Sequence, residues 1–238
     1  MRYLKFAILG LCLSILPTLA QAQISTYMPP VSTPSTMIGI RAGLGIANEA
    51  TPAYSDFTVG SRTGFLLGGQ LDFWFSPTFA LSLQALYDQK GDQLTGIDPD
   101  PTDPLYGYPE TDNFTLSYIE VPVLAKLALG SSEVKPYLFA GPSFGFLVGA
   151  NDHQIISANG ATYSDQTVDV SSKYNTFDMS LLFGAGISYQ MASGMQIFGD
   201  AGYALGLVNV ENTVNTGTTE TLESRDIRIA AGLMFPLQ

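Results

Sequence analysis

Residues 226–235 read DIRIAAGLMF. Ile227, Ile229, Ala231, Leu233 and Phe235 share one parity, and Asp226, Arg228, Ala230, Gly232 and Met234 the other. A period of two is the period of a β-strand, whose successive side chains point to opposite faces. The same alternation recurs upstream. Ile119, Val121, Val123, Ala125 and Leu127 oppose Glu120 and Lys126. Phe79, Leu81, Leu83, Ala85 and Tyr87 oppose Ser82, Gln84 and Asp88. Ile38, Ile40, Ala42, Leu44 and Ile46 oppose Gly39, Arg41, Gly43 and Gly45. From Met37 onward no stretch carries a helical period. The pattern predicts strands at about 37–48, 61–75, 78–90, 114–129, 134–150, 174–191, 194–208 and 225–237. The fifth, Val134 to Ala150, is apolar on both faces, so its facing is left open.

The connections alternate between short and long. Ser76-Pro77, Gly130 to Glu133 and Ala192-Ser193 are tight; 49–60, 91–113, 151–173 and 209–224 are long. An even number of antiparallel strands with short turns at one end and long loops at the other predicts an all-β, eight-stranded, up-and-down transmembrane β-barrel. A soluble barrel shows the same alternation with its apolar face inward. Three features turn that face toward lipid. The polar face has many glycines and few lysines, the strands are long enough to cross a bilayer at a tilt, and aromatics sit near strand ends. Phe65 and Tyr87 mark one end, and Phe73, Phe75 and Phe79 the other. After the first segment no run of about 18 apolar residues exists to form a helical span, and in lipid only helices and closed barrels satisfy their backbones.

Composition agrees. The 238 residues are 46% hydrophobic and 13% charged, with net charge −11. That excludes overall disorder and disfavours nucleic acid as a partner. Met1 to Lys5 is a basic start, Phe6 to Leu16 an apolar run and Ala20-Gln21-Ala22 a small-residue site. Residues 1–22 therefore read as a signal peptide cleaved before Gln23, the run being short for a membrane anchor. Cys12, the one cysteine, lies inside that run, so the mature chain has no disulfide. Residues 23–36, rich in Pro, Ser and Thr, read as a flexible periplasmic leader, and 37–238 as the barrel. Loss of Arg2 and Lys5 takes the net charge to −13, and fourteen of the 21 acids fall in the long connections. The expected picture is disordered acidic loops outside a charge-balanced wall, with contacts sensitive to divalent ions.

The runs Ser117-Tyr118-Ile119-Glu120-Val121-Pro122 and Lys135-Pro136-Tyr137-Leu138-Phe139-Ala140-Gly141-Pro142-Ser143 have a familiar order and spacing. So do Phe177-Asp178, Gly184-Ala185-Gly186-Ile187 and Tyr203 to Asn209. Together with Lys126 they resemble the PorT-like "porin family" of outer-membrane barrel domains, over roughly 37–238. The resemblance implies an eight-stranded barrel in the bacterial outer membrane. Some relatives assist protein secretion, and no pore is implied. Gly232, Phe235 and Leu237 resemble the C-terminal signal read by the barrel-assembly machinery, although the chain ends on Gln238.

The strand phases put Arg41, Arg62, Asp72, Glu120, Lys126, Asp178, Asp200, Asp226 and Arg228 inside the lumen. Enclosed charges must pair, so these residues are expected to form an ion-pair plug; the alternative is a gated ion or proton path. Arg62, Lys90, Lys173 and Arg225 stand at outer strand ends, where lipopolysaccharide phosphates would sit. His153 beside Asp152 is the one histidine, and no motif completes a catalytic set around it. No cofactor, metal or catalytic residue is expected. The leading expectation is a structural or interaction role in the envelope, with secretion proteins among the candidate partners. The alternatives are a narrow ion or small-solute channel, a barrel enzyme and a soluble ligand-binding barrel.

Overall fold

The computed structural model describes residues 35–49, 58–100, 103–130, 132–158, 161–211 and 224–237. The expected signal peptide, Cys12 and nearly all of the expected leader lie outside the described residues, as do Asp56, Glu220 and Glu223. Ten strands follow in order: β1 Ser35–Glu49, β2 Thr58–Trp74, β3 Phe79–Lys90, β4 Asp92–Asp100, β5 Asp103–Ala128, β6 Val134–Ala158, β7 Ala161–Asp169, β8 Phe177–Gln190, β9 Gln196–Gly206 and β10 Ser224–Leu237. The helical content among the described residues is one short 3-10 turn, Ser171–Lys173.

Eight of the strands close a ring. Antiparallel ladders run β1–β2, β2–β3, β3–β5, β5–β6, β6–β8, β8–β9 and β9–β10, and β10 returns to β1. The expected eight-stranded barrel is therefore the observed fold. Strands β4 and β7 prolong two of its staves. β3 and β4 share one register against β5, with Lys90 opposite Leu116 and Gln93 opposite Asn113. The joint is Gly91, at a φ of +149°, where a Cβ would run into the Phe114 carbonyl oxygen. Only glycine fits there. β7 lies beside β6 beyond the point where β8 leaves it.

Connections 91–113 and 151–173 are therefore β-hairpins, β4–β5 and β6–β7, and not the disordered loops expected from their composition. β5 has 26 residues and β6 has 25. Crossing a bilayer takes only about 9–11 residues. The three expected tight connections lie at the opposite end, where β1 begins at Ser35 and β10 ends at Leu237. Ser76 Oγ accepts from the Phe79 amide at 3.0 Å, and Gly130 and Gly194 take φ of +85° and +83°.

Parity sorts the side chains. Ile40, Leu44 and Ile229 are about three-fifths exposed, at 61%, 58% and 63%, whereas Asp72 and Asp88 on the other face are at 0%. The wall thus shows hydrocarbon outward and polar groups inward, the arrangement lipid requires. Cross-strand aromatic pairs, Phe65–Tyr87 and Phe75–Phe79, mark its two ends with ring centroids 5.6 and 5.9 Å apart. The open question of β6 has a local cause. Ser117 pairs with Gly149 but Tyr118 with Leu147, so Val148 is an extra residue. This bulge exchanges the two faces in mid-strand. Tyr137, Phe139 and Ser143 point inward below it, and Ala150 and Asp152 above it.

A narrow lumen can hold large rings only where facing residues are small. A Cβ on Gly186 would stand 2.5 Å from the Tyr137 ring and 2.7 Å from Asp200 Cβ. The glycine is thus the space into which Tyr137 fits.

Candidate functional site

Two layers of charge fill the lumen. The layer nearer the hairpins is built on Glu120 of β5. Lys90 Nζ donates to Glu120 Oε1 at 3.0 Å and to Asp178 Oδ2 at 3.2 Å. Arg228 donates through Nη2 to Glu120 Oε1 at 3.0 Å, through Nη1 to Glu120 Oε2, and through Nε to Asp226 Oδ2. Its Nη2 also lies 3.0 Å from Asp88 Oδ2. Every member of this layer is buried. Lys90 Nζ also stands 5.1 Å over the Tyr118 ring.

The layer nearer the turns is a second chain of bonds. Arg41 donates to Asp200 at 2.8 Å and to Gln70 at 3.0 Å. Gln70 donates to Asp72 at 2.9 Å, Lys126 donates to Asp72 at 3.0 Å, and the Tyr137 hydroxyl donates to Asp200 at 2.9 Å. Lys126 Nζ lies 4.1 Å over the Tyr137 ring, and Arg41 lies over Phe198. Around this layer Met37, Leu124, Phe139, Leu182, Phe198 and Met234 form an apolar core, with Trp74 packed against it. Between the layers is a cavity of about 20 Å³ lined by Arg41, Ser82, Gln84, Lys126, Asp200 and Arg228, the room of a single water.

Of the nine residues placed in the lumen by strand phase, the structure brings Glu120, Asp178, Asp226 and Arg228 together in one layer and Arg41, Asp72, Lys126 and Asp200 in the other. Arg62 joins neither. It donates to the Phe114 carbonyl and to Thr115 Oγ1, tying β2 to β5 at the base of the hairpins. Lys90 is corrected in the opposite sense. It is no rim residue reaching for head groups but a buried member of the plug. It shares parity with Ser82, Gln84 and Asp88, and that parity was the available signal for it and for Asp88. Of the remaining rim bases, Lys173 is exposed and Arg225 half-buried.

Above the plug, Asp92, Asp112 and Asp152 are buried on the three adjacent strands β4, β5 and β6. Burial pushes Asp92 up to about 6; its own backbone hydrogen bond opposes this, the Asp152 charge adds to it, and Arg62 opposes it. Asp152 is raised by burial and then by Asp112, with Lys173 and His153 opposing. His153 does not act with Asp152, its chain neighbour. Adjacent strand residues face opposite sides, and His153 Nε2 instead meets Asp165 of β7 at 2.7 Å on the exposed face.

Two measurements test these assignments. Glu120→Ala leaves Lys90 and Arg228 without their shared acceptor, and removing one partner of a buried pair costs about 3–5 kcal/mol. Urea titration of the refolded barrel in lipid vesicles should show that loss, and a loss below 1 kcal/mol would refute the plug as the central support. For Asp92 the sign follows from linkage. An acid with a pKa raised by folding stays protonated in the fold while the unfolded chain ionises. Stability therefore falls as pH rises from about 4 to about 6, and the loss is complete above that window. Asp92→Asn should be neutral at pH 4 and stabilising by about 2 kcal/mol at pH 7.5. The same gain at both pH values would count against a buried, protonated Asp92.

Residues 21–212 match the model of the outer membrane protein beta-barrel domain family. Among solved structures, Neisserial surface protein A is similar at 17% identity and a TM-score of 0.44, over 85% of this chain and 98% of that one. The outer membrane protein OprG of Pseudomonas aeruginosa is similar at 10% identity and a TM-score of 0.41, over 88% and 100%. The outer membrane protease OmpT of Escherichia coli is similar at 11% identity and a TM-score of 0.37, over 90% and 100%. No curated protein matches the chain. With most of its length matched by the family model and its strands closed into an eight-stranded ring, the chain belongs to the outer membrane protein beta-barrel domain family and is an outer-membrane barrel.

Proposed function

We propose that this barrel is a closed, non-conducting anchor that serves the cell envelope through its protruding hairpins. The observation that carries this reading is the filled lumen. Two layers of paired charge and an apolar core occupy it from hairpin end to turn end. Eight strands give an interior that side chains can fill, whereas water-filled porins have sixteen or more. Among the described residues, two connections outside the barrel are β-hairpins. β4, β5, β6 and β7 form a four-stranded antiparallel sheet continuous with the wall. A strand pair that continues from a closed barrel holds its tip in a fixed direction, as a contact surface requires.

Purified protein in planar bilayers is expected to give no steady conductance. A large, stable conductance would overturn the closed reading and favour the narrow channel. A finer form of the proposal is an accessory part in protein secretion. It is supported by the resemblance of 117–122 and 135–143 to PorT-like proteins. Proximity labelling from the native outer membrane should then recover secretion components beside the barrel. Recovery of lipid-transport or cell-wall proteins instead would remove the secretion role and leave the anchor.

A further inference from the structure

The pair Phe65–Tyr87 marks the hairpin end of the lipid-facing wall, and a second pair, Phe146–Phe177, has its ring centroids 5.7 Å apart. Ladder partners join them in one row: Phe177 lies opposite Phe146, Phe146 opposite Ile119, and Ile119 opposite Tyr87. Above this row the outward face changes character. Parity carries it up β3 and β4 through Gln89, Gln93 and Thr95, and up β5 through Ser117, Thr115, Asn113 and Thr111. None of these seven residues is buried. They join in the plane of the face. The Tyr87 hydroxyl donates to Ser117 Oγ at 3.0 Å, Gln89 Nε2 donates to the Tyr87 hydroxyl at 3.2 Å, and Gln93 Nε2 donates to Asn113 Oδ1 at 2.9 Å. Thr95 stands opposite Thr111.

The charges of the same stretches turn the other way. Asp88, Lys90, Asp92, Glu110 and Asp112 point inward and are buried. A sheet with only water outside would place its carboxylates there, where they are solvated. Here every acid from 87 to 97 and from 109 to 119 is kept off the outward face, although burial pushes Asp92 up to about 6. Arg62 of β2 reaches the foot of this band, where it donates to the Phe114 carbonyl and to Thr115 Oγ1. Such a face is complementary to a neighbour that is rich in hydroxyls and carries negative charge.

Position and depth identify that neighbour. The hairpins stand where the long connections of outer-membrane barrels lie, on the outer side. The band continues the lipid-facing wall, so it meets what the outer leaflet holds above its acyl chains. From Ile119 to Thr111 the strand rises about 27 Å, or about 20 Å of height at a barrel tilt of about 40°. A phospholipid head-group layer is only about 6 Å deep.

We infer that the outward face of β3, β4 and β5 above the row of Tyr87 and Ile119 is a binding surface for the sugar head groups of an outer-leaflet glycolipid. Hydroxyls of Ser and Thr and amides of Asn and Gln both donate and accept, as sugar hydroxyls do. Keeping the acids inward avoids repulsion of the phosphates beside those sugars. β7, with Asp165 and Asp169 exposed, lies outside this surface. The inference needs neither the closed lumen nor a protein partner. Conductance could therefore overturn the closed anchor while leaving this surface intact, and the reverse.

The test offers the refolded full barrel an equal mixture of lipopolysaccharide bearing its core sugars, the same lipid stripped to lipid A, and phosphatidylglycerol. Bound molecules are counted by native mass spectrometry. The core-bearing form should be retained about tenfold over the stripped form, the yield of a few net hydrogen bonds. Gln93→Leu, Asn113→Leu and Thr111→Val combined should remove that preference and leave retention of lipid A unchanged, with folding read from heat-modifiable gel migration. Thr95→Glu, a single change at an exposed position, should lower retention of the core-bearing form by about threefold and serves if the triple variant does not fold. D165N with D169N should leave the preference in place. Equal retention of the core-bearing and stripped forms by the unaltered barrel would overturn the proposal. So would a preference that survives both the triple variant and Thr95→Glu, or a triple variant that folds and loses both forms equally.

Discussion

Closing eight strands into a ring fixes how much room there is inside, and every other feature of this molecule answers to that limit. With lipid on the outer face, each charged residue of the wall must turn inward. Inside, the space is too narrow for a hydrated ion atmosphere, so each charge must find its partner among side chains. Glu120 meets this demand by accepting from both Lys90 and Arg228, which come from β3 and β10. The plug therefore links strands that share no ladder. It acts across the ring, where backbone hydrogen bonds act only around it.

The same limit explains the mixture of glycine and aromatics. Tyr137, Phe139 and Phe198 are large for so narrow an interior, and they occupy the space over glycines on neighbouring strands. Two of these rings also cover a cation of the turn-side layer, with Lys126 over Tyr137 and Arg41 over Phe198. A ring face holds a desolvated cation without adding another charge. Packing and electrostatics are thus met by the same side chains.

How much of this was legible in sequence depended on how strongly each stretch contrasts its two faces. In β1, β3, β5 and β10 the lipid face is apolar across the wall, and parity there places five of the lumen charges, Arg41, Glu120, Lys126, Asp226 and Arg228; Asp72, Asp178 and Asp200 lie on β2, β8 and β9. Lys90 was misplaced because its position at a strand end outweighed its parity with Gln84 and Asp88. β6 resisted because the bulge at Val148 exchanges its faces partway along, and a single phase cannot describe it. The hairpins resisted for another reason. Outside the bilayer neither face is apolar: Glu110 and Asp112 alternate with Thr111 and Asn113, and prolines at 99, 104 and 109 look like breakers. Their strands are specified by continuity with the wall, which is a tertiary property.

That continuity also changes the meaning of the acidic charge. In a disordered loop, carboxylates are solvated and cost nothing. In the ordered sheet three of them, Asp92, Asp112 and Asp152, are buried on neighbouring strands directly above the plug. Hydrophobic contacts among Leu116, Tyr118, Ala150 and Val170 hold the base of the hairpins together there. Arg62 adds a bond from β2 to the Phe114 carbonyl. The geometry of the base is therefore fixed by packing and backbone, and the carboxylates accept the environment that results. Burial between the hairpin strands raises Asp92 and Asp152 by disfavouring their charged forms. A flexible loop would simply have turned these groups into solvent, so their raised values belong to the hairpin as an ordered extension of the wall.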